Sequence, residues 1–276
     1  MIKYIKIIEA VSEVEKGIFN ILCVGDVVGE NGTDFIKSKL WSIRDRYKVD
    51  FAVVNGENSA AGNGIDKFSA DTLFSSGADV ITTGNHVFRK REIYDYMEKN
   101  EYLLRPANYP AGTAGNGYCI YKALGYRVLV MNLLGTVYME SMDCPFRTAQ
   151  KILEREKGEY DISIADFHAE ATSEKKAFAY FFDGEISLVF GTHTHVQTSD
   201  EQIFENGTGY ITDAGMTGPY ESVLGVKKEI VINKFLTKMP CRFEEADGST
   251  IFNAVLFSYD INTKKTVDVK RISEIH

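Results

Sequence analysis

Short apolar runs alternate with stretches of helical spacing through the first part of the chain. Residues 21–24, 51–54 and 80–82 are such runs. Between the first two, Phe35, Ile36, Leu40 and Ile43 recur on one helical face across 35–47. Residues 69–76 read as a second helix stopped by Gly77, and 91–99 as a third. Short strands alternating with helices predict βαβ units and a largely parallel region of sheet. The second half predicts more strands: 118–121 paired with 127–132, then 161–167, 186–190 and 210–212. Residues 254–261 and 266–272 flank Asn262-Thr263-Lys264-Lys265 as a hairpin. Residues 1–18 stand apart. Ile5, Ile8 and Val11 fall on a rough helical stripe, and the first strand of the main fold begins only near Ile18. The expected organisation is an N-terminal extension over 1–18 and one domain over 19–276, since no Pro/Gly/Ser-rich linker divides the remainder.

The ends of these runs carry the chemistry. The first is followed by Gly25-Asp26, the second by Asn55-Gly56-Glu57-Asn58 and the third by Gly84-Asn85-His86. Further on, 161–167 ends at His168, and 186–190 leads into Gly191-Thr192-His193-Thr194-His195. In open α/β sheets, ligands gather outside the carboxyl ends of the strands. Nitrogen and oxygen donors from five separated segments, all so placed, are what a dinuclear metal site needs.

Each motif alone has a plainer reading. Asp26 suits a turn or helix cap as well as a ligand. Glu57 and Asn58 suit a turn around Gly56 and Gly62. His86 could cap the helix at 91–99, and a lone His168 could be structural. Their shared position favours a common site. Arg89-Lys90-Arg91 reads as a solvated helix start more readily than as a phosphate contact. Arg105, in Arg105-Pro106-Ala107-Asn108-Tyr109-Pro110, is a candidate substrate contact within a proline-stiffened turn. The glycines near Gly215 and Gly218 do not make a P-loop.

Composition narrows the partners. A formal charge of −8 argues against an extended nucleic-acid surface, yet leaves room for a phosphate substrate if bound cations supply positive charge. The four cysteines are far apart, with no C-x-x-C pair, which points to a reducing compartment. No apolar signal core interrupts the charges of 1–18, and no run reaches a membrane span. The expected location is the cytoplasm, with a homo-oligomer left open.

In order, these motifs resemble those of the calcineurin-like metallophosphoesterase superfamily, and more closely its bacterial YmdB-like branch of cyclic-nucleotide phosphodiesterases. The matching segments are 25–29, 55–58, 83–86, 105–110, Asp166-Phe167-His168-Ala169-Glu170-Ala171-Thr172-Ser173-Glu174-Lys175, 191–198 and Asp213-Ala214-Gly215-Met216-Thr217-Gly218-Pro219. Two departures from the wider superfamily, Val28 in place of a histidine and Gly56-Glu57-Asn58 in place of Gly-Asp, are those of the YmdB-like branch.

The resemblance implies a four-layer αββα sandwich of two mixed β-sheets flanked by helices. It implies that Asp26, Asn58 and His195 hold one metal, that Asn85, His168 and His193 hold the other, and that Glu57 bridges them. Iron or manganese suits this set, with zinc open. The implied activity is hydrolysis of 2′,3′- or 3′,5′-cyclic nucleotides by a metal-bridging hydroxide, with His86 as general acid. Two other readings compete: another metal-dependent phosphohydrolase, such as a nucleotidase or phosphomonoesterase, and a regulatory or RNA-interacting protein with a structural metal site.

Overall fold

Phe19, Ile21 and Cys23 alternate with Leu22 and Val24 along β1 (Ile18–Val24), and the two sets enter different apolar layers. Successive side chains of a strand point to opposite faces, so one strand serves two cores. The computed structural model describes residues 17–276. The helical stripe expected at Ile5, Ile8 and Val11 lies outside them.

After β1 come β2 (Asp26–Val27), α1 (Gly29–Tyr47), β3 (Phe51–Asn55), α2 (Lys67–Ser75), β4 (Val80–Thr82) and α3 (Ile93–Met97). The middle of the chain forms β5 (Tyr118–Ala123), β6 (Tyr126–Leu134), α4 (Pro145–Arg155), β7 (Ile162–His168), α5 (Thr172–Phe181) and β8 (Leu188–Thr192). The remainder forms β9 (Gln202–Ile203), β10 (Gly209–Ile211), β11 (Met216–Pro219), α6 (Lys228–Thr237), β12 (Thr250–Asp260) and β13 (Lys265–Ile275).

Two mixed sheets result. The first runs β2-β11-β12-β1-β3-β4, with β13 also on β12. In it β1, β3 and β4 are parallel, and the C-terminal hairpin joins antiparallel to β1. The second runs β5-β6-β7-β8-β10-β9, with β6, β7, β8 and β10 parallel. Phe19, Ile21, Phe51 and Val53 meet Val130, Ile164, Leu188 and Phe190 between the sheets. Leu22, Val24 and Val54 pack outward against Ile36, Leu40 and Leu73 of α1 and α2. Met131, Leu133 and Phe167 pack outward against Ile152, Leu153 and Phe178 of α4 and α5. These layers make the αββα sandwich. No helix among the described residues is long and apolar enough to cross a membrane.

The observed elements differ from the expected ones in places. α1 begins at Gly29, well before Phe35, and α3 covers less than 91–99. α4, α5 and α6 were not expected at all. α4 was readable, with Pro145 in its first turn and Ala149, Ile152 and Leu153 on its buried side.

Candidate metal centre

The carboxyl ends of the parallel strands from both sheets converge at one edge of the sandwich. β1 leads to Asp26, β3 to Glu57 and Asn58, and β4 to Asn85 and His86. β7 ends on His168, and β8 leads to His193 and His195. The first group comes from one sheet and the second from the other, so the site lies on their seam. Gly84 permits the close approach of the β4 loop. A Cβ there would run into Glu57 Oε2 and the His168 ring.

Asp26, Glu57 and His168 form the centre. All three are buried, and their ligand atoms lie within 4.8 Å of one another. His168 Nε2 is 2.5 Å from Glu57 Oε2, 3.1 Å from His193 Nδ1 and 3.3 Å from Asn85 Oδ1. His195 Nε2 is 3.6 Å from Asp26 Oδ1 and 3.3 Å from the Asn58 amide nitrogen. Backbone groups hold the outer carboxylate oxygens: His193 N donates to Asp26 Oδ2 at 3.0 Å, and His86 N donates to Glu57 Oε1 at 2.6 Å. The inner oxygens, Asp26 Oδ1 and Glu57 Oε2, have no hydrogen-bond partner of proper geometry. Two buried carboxylate oxygens that face imidazoles but accept no hydrogen bond of proper geometry fit a divalent cation.

The electrostatics follow from this packing. Burial opposes the charge on Asp26, but His195 and then His168 outweigh it and hold that carboxyl below its ordinary range. Burial likewise opposes Glu57, whose pKa His168 brings down. His168, resisted by burial but drawn by Glu57 and Asp26, is pushed up to about 9. His195 is raised because Asp26 outweighs its burial. Burial lowers His86 and His193. The same carboxylate field that stabilises an imidazolium draws a metal cation.

His86 stands slightly apart. Its side chain is 26% exposed, and Nδ1 lies 3.0 Å from Asn58 Oδ1. It caps no helix through its side chain. Arg105 is not part of the cluster. It lines a groove of about 750 Å³ with Tyr109, Tyr118, Lys151 and Arg155, which none of the clustered donors lines. Its guanidinium donates to the Pro106 carbonyl at 2.8 Å and the Thr113 carbonyl at 3.4 Å, which ties it to its own loop.

Supporting residues carried weaker signals in the sequence. Asp166 is wholly buried and accepts from Thr82 Oγ1 at 2.5 Å, Thr192 Oγ1 at 2.7 Å and Asn55 Nδ2 at 2.9 Å. Burial pushes its pKa up to about 6 against the pull of His168. Lys175 and Asp213 form a buried ion pair at 2.8 Å beside the histidine loop. All three lie in the motifs quoted above, but spacing along the chain gives them no role.

Known proteins are similar to this chain in sequence and fold. A family model described as YmdB-like protein matches residues 22–272. The chain is 44% identical over 252 residues to the 2′,3′-cyclic-nucleotide 2′-phosphodiesterase of Bacillus subtilis, covering 91% of this chain and 96% of that protein. The crystal structure of a novel phosphatase from Mycoplasma pneumoniae matches with a TM-score of 0.88 and 33% identity, over 94% of both chains. A candidate 5′-nucleotidase from Staphylococcus aureus, solved with alpha-ketoglutarate, matches at a TM-score of 0.59 and 17% identity, over 94% of this chain and 54% of that one. That last likeness concerns the fold alone. The order of the motifs, the αββα layers and the match over nearly all of the described residues agree, and the chain belongs to the YmdB-like family of calcineurin-like metallophosphoesterases.

Proposed function

We propose that the protein is a dinuclear metal-dependent phosphodiesterase that opens cyclic nucleotides, with 2′,3′-cyclic nucleotides as the preferred class. The observation that carries this reading is the buried Asp26, Glu57 and His168 cluster, whose two inner carboxylate oxygens face imidazoles without a hydrogen bond of proper geometry. Asn85 and His193 gather around His168, which supports these three as ligands of one ion. Asp26 and Asn58 gather around His195, which supports these three as ligands of the other. Glu57 is the natural bridge. The absence of thiolates among these donors favours iron or manganese, with zinc also suited. When bound, two such ions supply Lewis acidity and lower the pKa of water.

The chain's own residues do the rest. The strand ends orient the donors and keep water from the buried carboxylates. His86, at the exposed margin, is placed to pass a proton to the departing ribose oxygen. Its lowered basicity, caused by burial, makes its imidazolium a stronger acid toward an alkoxide. The Bacillus subtilis relative supports the 2′,3′-cyclic class over the 3′,5′-cyclic one.

The test is hydrolysis of 2′,3′-cyclic AMP by purified protein with manganese, beside an EDTA-treated control. Metal-dependent release of a monophosphate is expected. No turnover with two metals bound would overturn the reading. A phosphomonoesterase is the second reading, favoured by the name of the Mycoplasma pneumoniae protein. Turnover of AMP exceeding that of the cyclic diester would select it.

A further inference from the structure

Two of the sequence motifs leave a charged residue without a role. Lys175 closes 166–175, and Asp213 opens 213–219. Their side chains meet in the interior, with Nζ 2.8 Å from Oδ2 and exposures of 1% and 0%. An ion pair so deep is a weak source of stability, because removing both charges from water costs about as much as their attraction returns. Its hydrogen bonds indicate another use. Lys175 Nζ donates to the Thr192 carbonyl at 2.8 Å. Asp213 Oδ2 accepts from Thr194 N at 3.1 Å and Thr194 Oγ1 at 2.8 Å, while Oδ1 accepts from Gly215 N at 2.8 Å.

The pair therefore grips the backbone just before His193 and again between His193 and His195. That backbone needs gripping. His193 has φ 100° and His195 has φ 64°. Non-glycine residues avoid this left-handed region and keep it only where their surroundings over-determine it. His193 and His195 would otherwise relax toward ordinary backbone and turn both imidazoles away from Asp26 and His168.

We propose that Lys175 and Asp213 form a buried brace that holds His193 and His195 in metal-binding geometry and adds little to the stability of the fold. They are positioning residues, one delivered by α5 and the other by the loop after β10. The inference rests on the reading of both histidines as metal ligands.

The test uses the whole chain carrying Lys175→Met with Asp213→Asn, which removes both charges and orphans neither. Thr194→Val is the milder companion, since it keeps the ion pair and loses one of the gripping bonds. Three quantities are measured: thermal stability, metal affinity by chelator competition, and the imidazole C–H resonances of the metal-free protein. The double variant should melt within a few degrees of the parent. Its metal affinity should fall about 10- to 100-fold, the usual effect of removing an outer partner of a metal site. The His193 and His195 resonances should move while that of His276 stays. Thr194→Val should shift the same quantities by less.

A lower melting temperature with unchanged metal affinity and unmoved histidine resonances would make the pair merely structural and overturn the proposal. If the double variant does not fold, the same comparison on Thr194→Val decides. A parent protein that takes up no metal would overturn the metal reading alone, and the imidazole resonances would still decide whether the brace sets the histidines.

Discussion

Thr192 has one hydroxyl proton, and Asp166 Oδ1 takes it at 2.7 Å. Its oxygen must therefore accept from His168 Nδ1, which lies 2.9 Å away. This keeps a proton on His168 Nδ1 and leaves Nε2, directed into the donor cluster, as the nitrogen that would exchange its proton for a metal. Thr192→Val keeps the shape of the side chain and removes the anchor. Metal affinity should fall about 10- to 100-fold, and loss of a partner for buried Asp166 should cost about 1–3 kcal/mol. A chelator titration beside a melting curve checks both, and unchanged affinity would show that Thr192 does not orient the ring. His86 makes a different demand. His86→Ala should retain both metals yet lose about 10²- to 10⁴-fold in turnover of ribose esters, whose leaving group needs a proton. It should lose much less on nitrophenyl esters, whose leaving group does not. Loss of metal in that variant would make His86 a ligand instead. The clustered donors were legible in the sequence because each follows an apolar run. Asp166, Lys175 and Asp213 were not, because their partners arrive from distant segments and only the folded chain brings them together.

Elements explain both what could be read and what could not. β1, β3, β4 and β7 were legible as apolar runs because parallel strands covered on both faces carry few polar residues. The start of α1 was hidden. Its first turn contains Gly29, Asn31 and Gly32, poor helix formers, and Val28 makes no side-chain cap. The cap comes from Glu245, whose carboxylate accepts from Glu30 N at 3.0 Å and Asn31 N at 2.9 Å. A cap supplied from the far end of the chain leaves no local signal. The place of β12 antiparallel beside β1, with β13 on its other edge, was hidden for the same reason. Helix packing also separates stability from chemistry. Phe178 on α5 packs against Phe167 at a ring distance of 4.6 Å and against Phe146 at 5.3 Å, on the side of β7 away from the site. Phe178→Ala should cost about 3–5 kcal/mol, while metal stoichiometry of the folded protein stays the same. A urea titration and a metal analysis test the two halves of that statement. Loss of metal from the still-folded variant would mean that α5 packing reaches the site.

At the scale of the molecule, the donors fall into two sets that fold on different sheets. Asp26, Glu57, Asn58 and Asn85 belong to strand ends of the first sheet, and His168, His193 and His195 to those of the second. Apolar packing joins the sheets through Phe19, Phe51, Ile164 and Phe190 along the middle of the sandwich. At the carboxyl edge this packing gives way to buried carboxylates that repel one another and imidazoles that only partly compensate. A metal pair bound there would cross-link the sheets where apolar contact does not. Ions that bind the folded chain and not the unfolded one stabilise it by mass action, by about 2.7 kcal/mol at a hundredfold excess over the dissociation constant. For a chain of this size each kcal/mol moves the melting temperature by about 2–4 °C. Stripping the metals with EDTA should therefore lower the melting temperature by about 5–10 °C, and adding back excess manganese should restore it. The same treatment of a Glu57→Gln variant should have a much smaller effect, because that variant lacks the carboxylate proposed to bridge the ions. An EDTA-treated protein that melts with the metal-loaded one would mean that the ions do not join the two sheets.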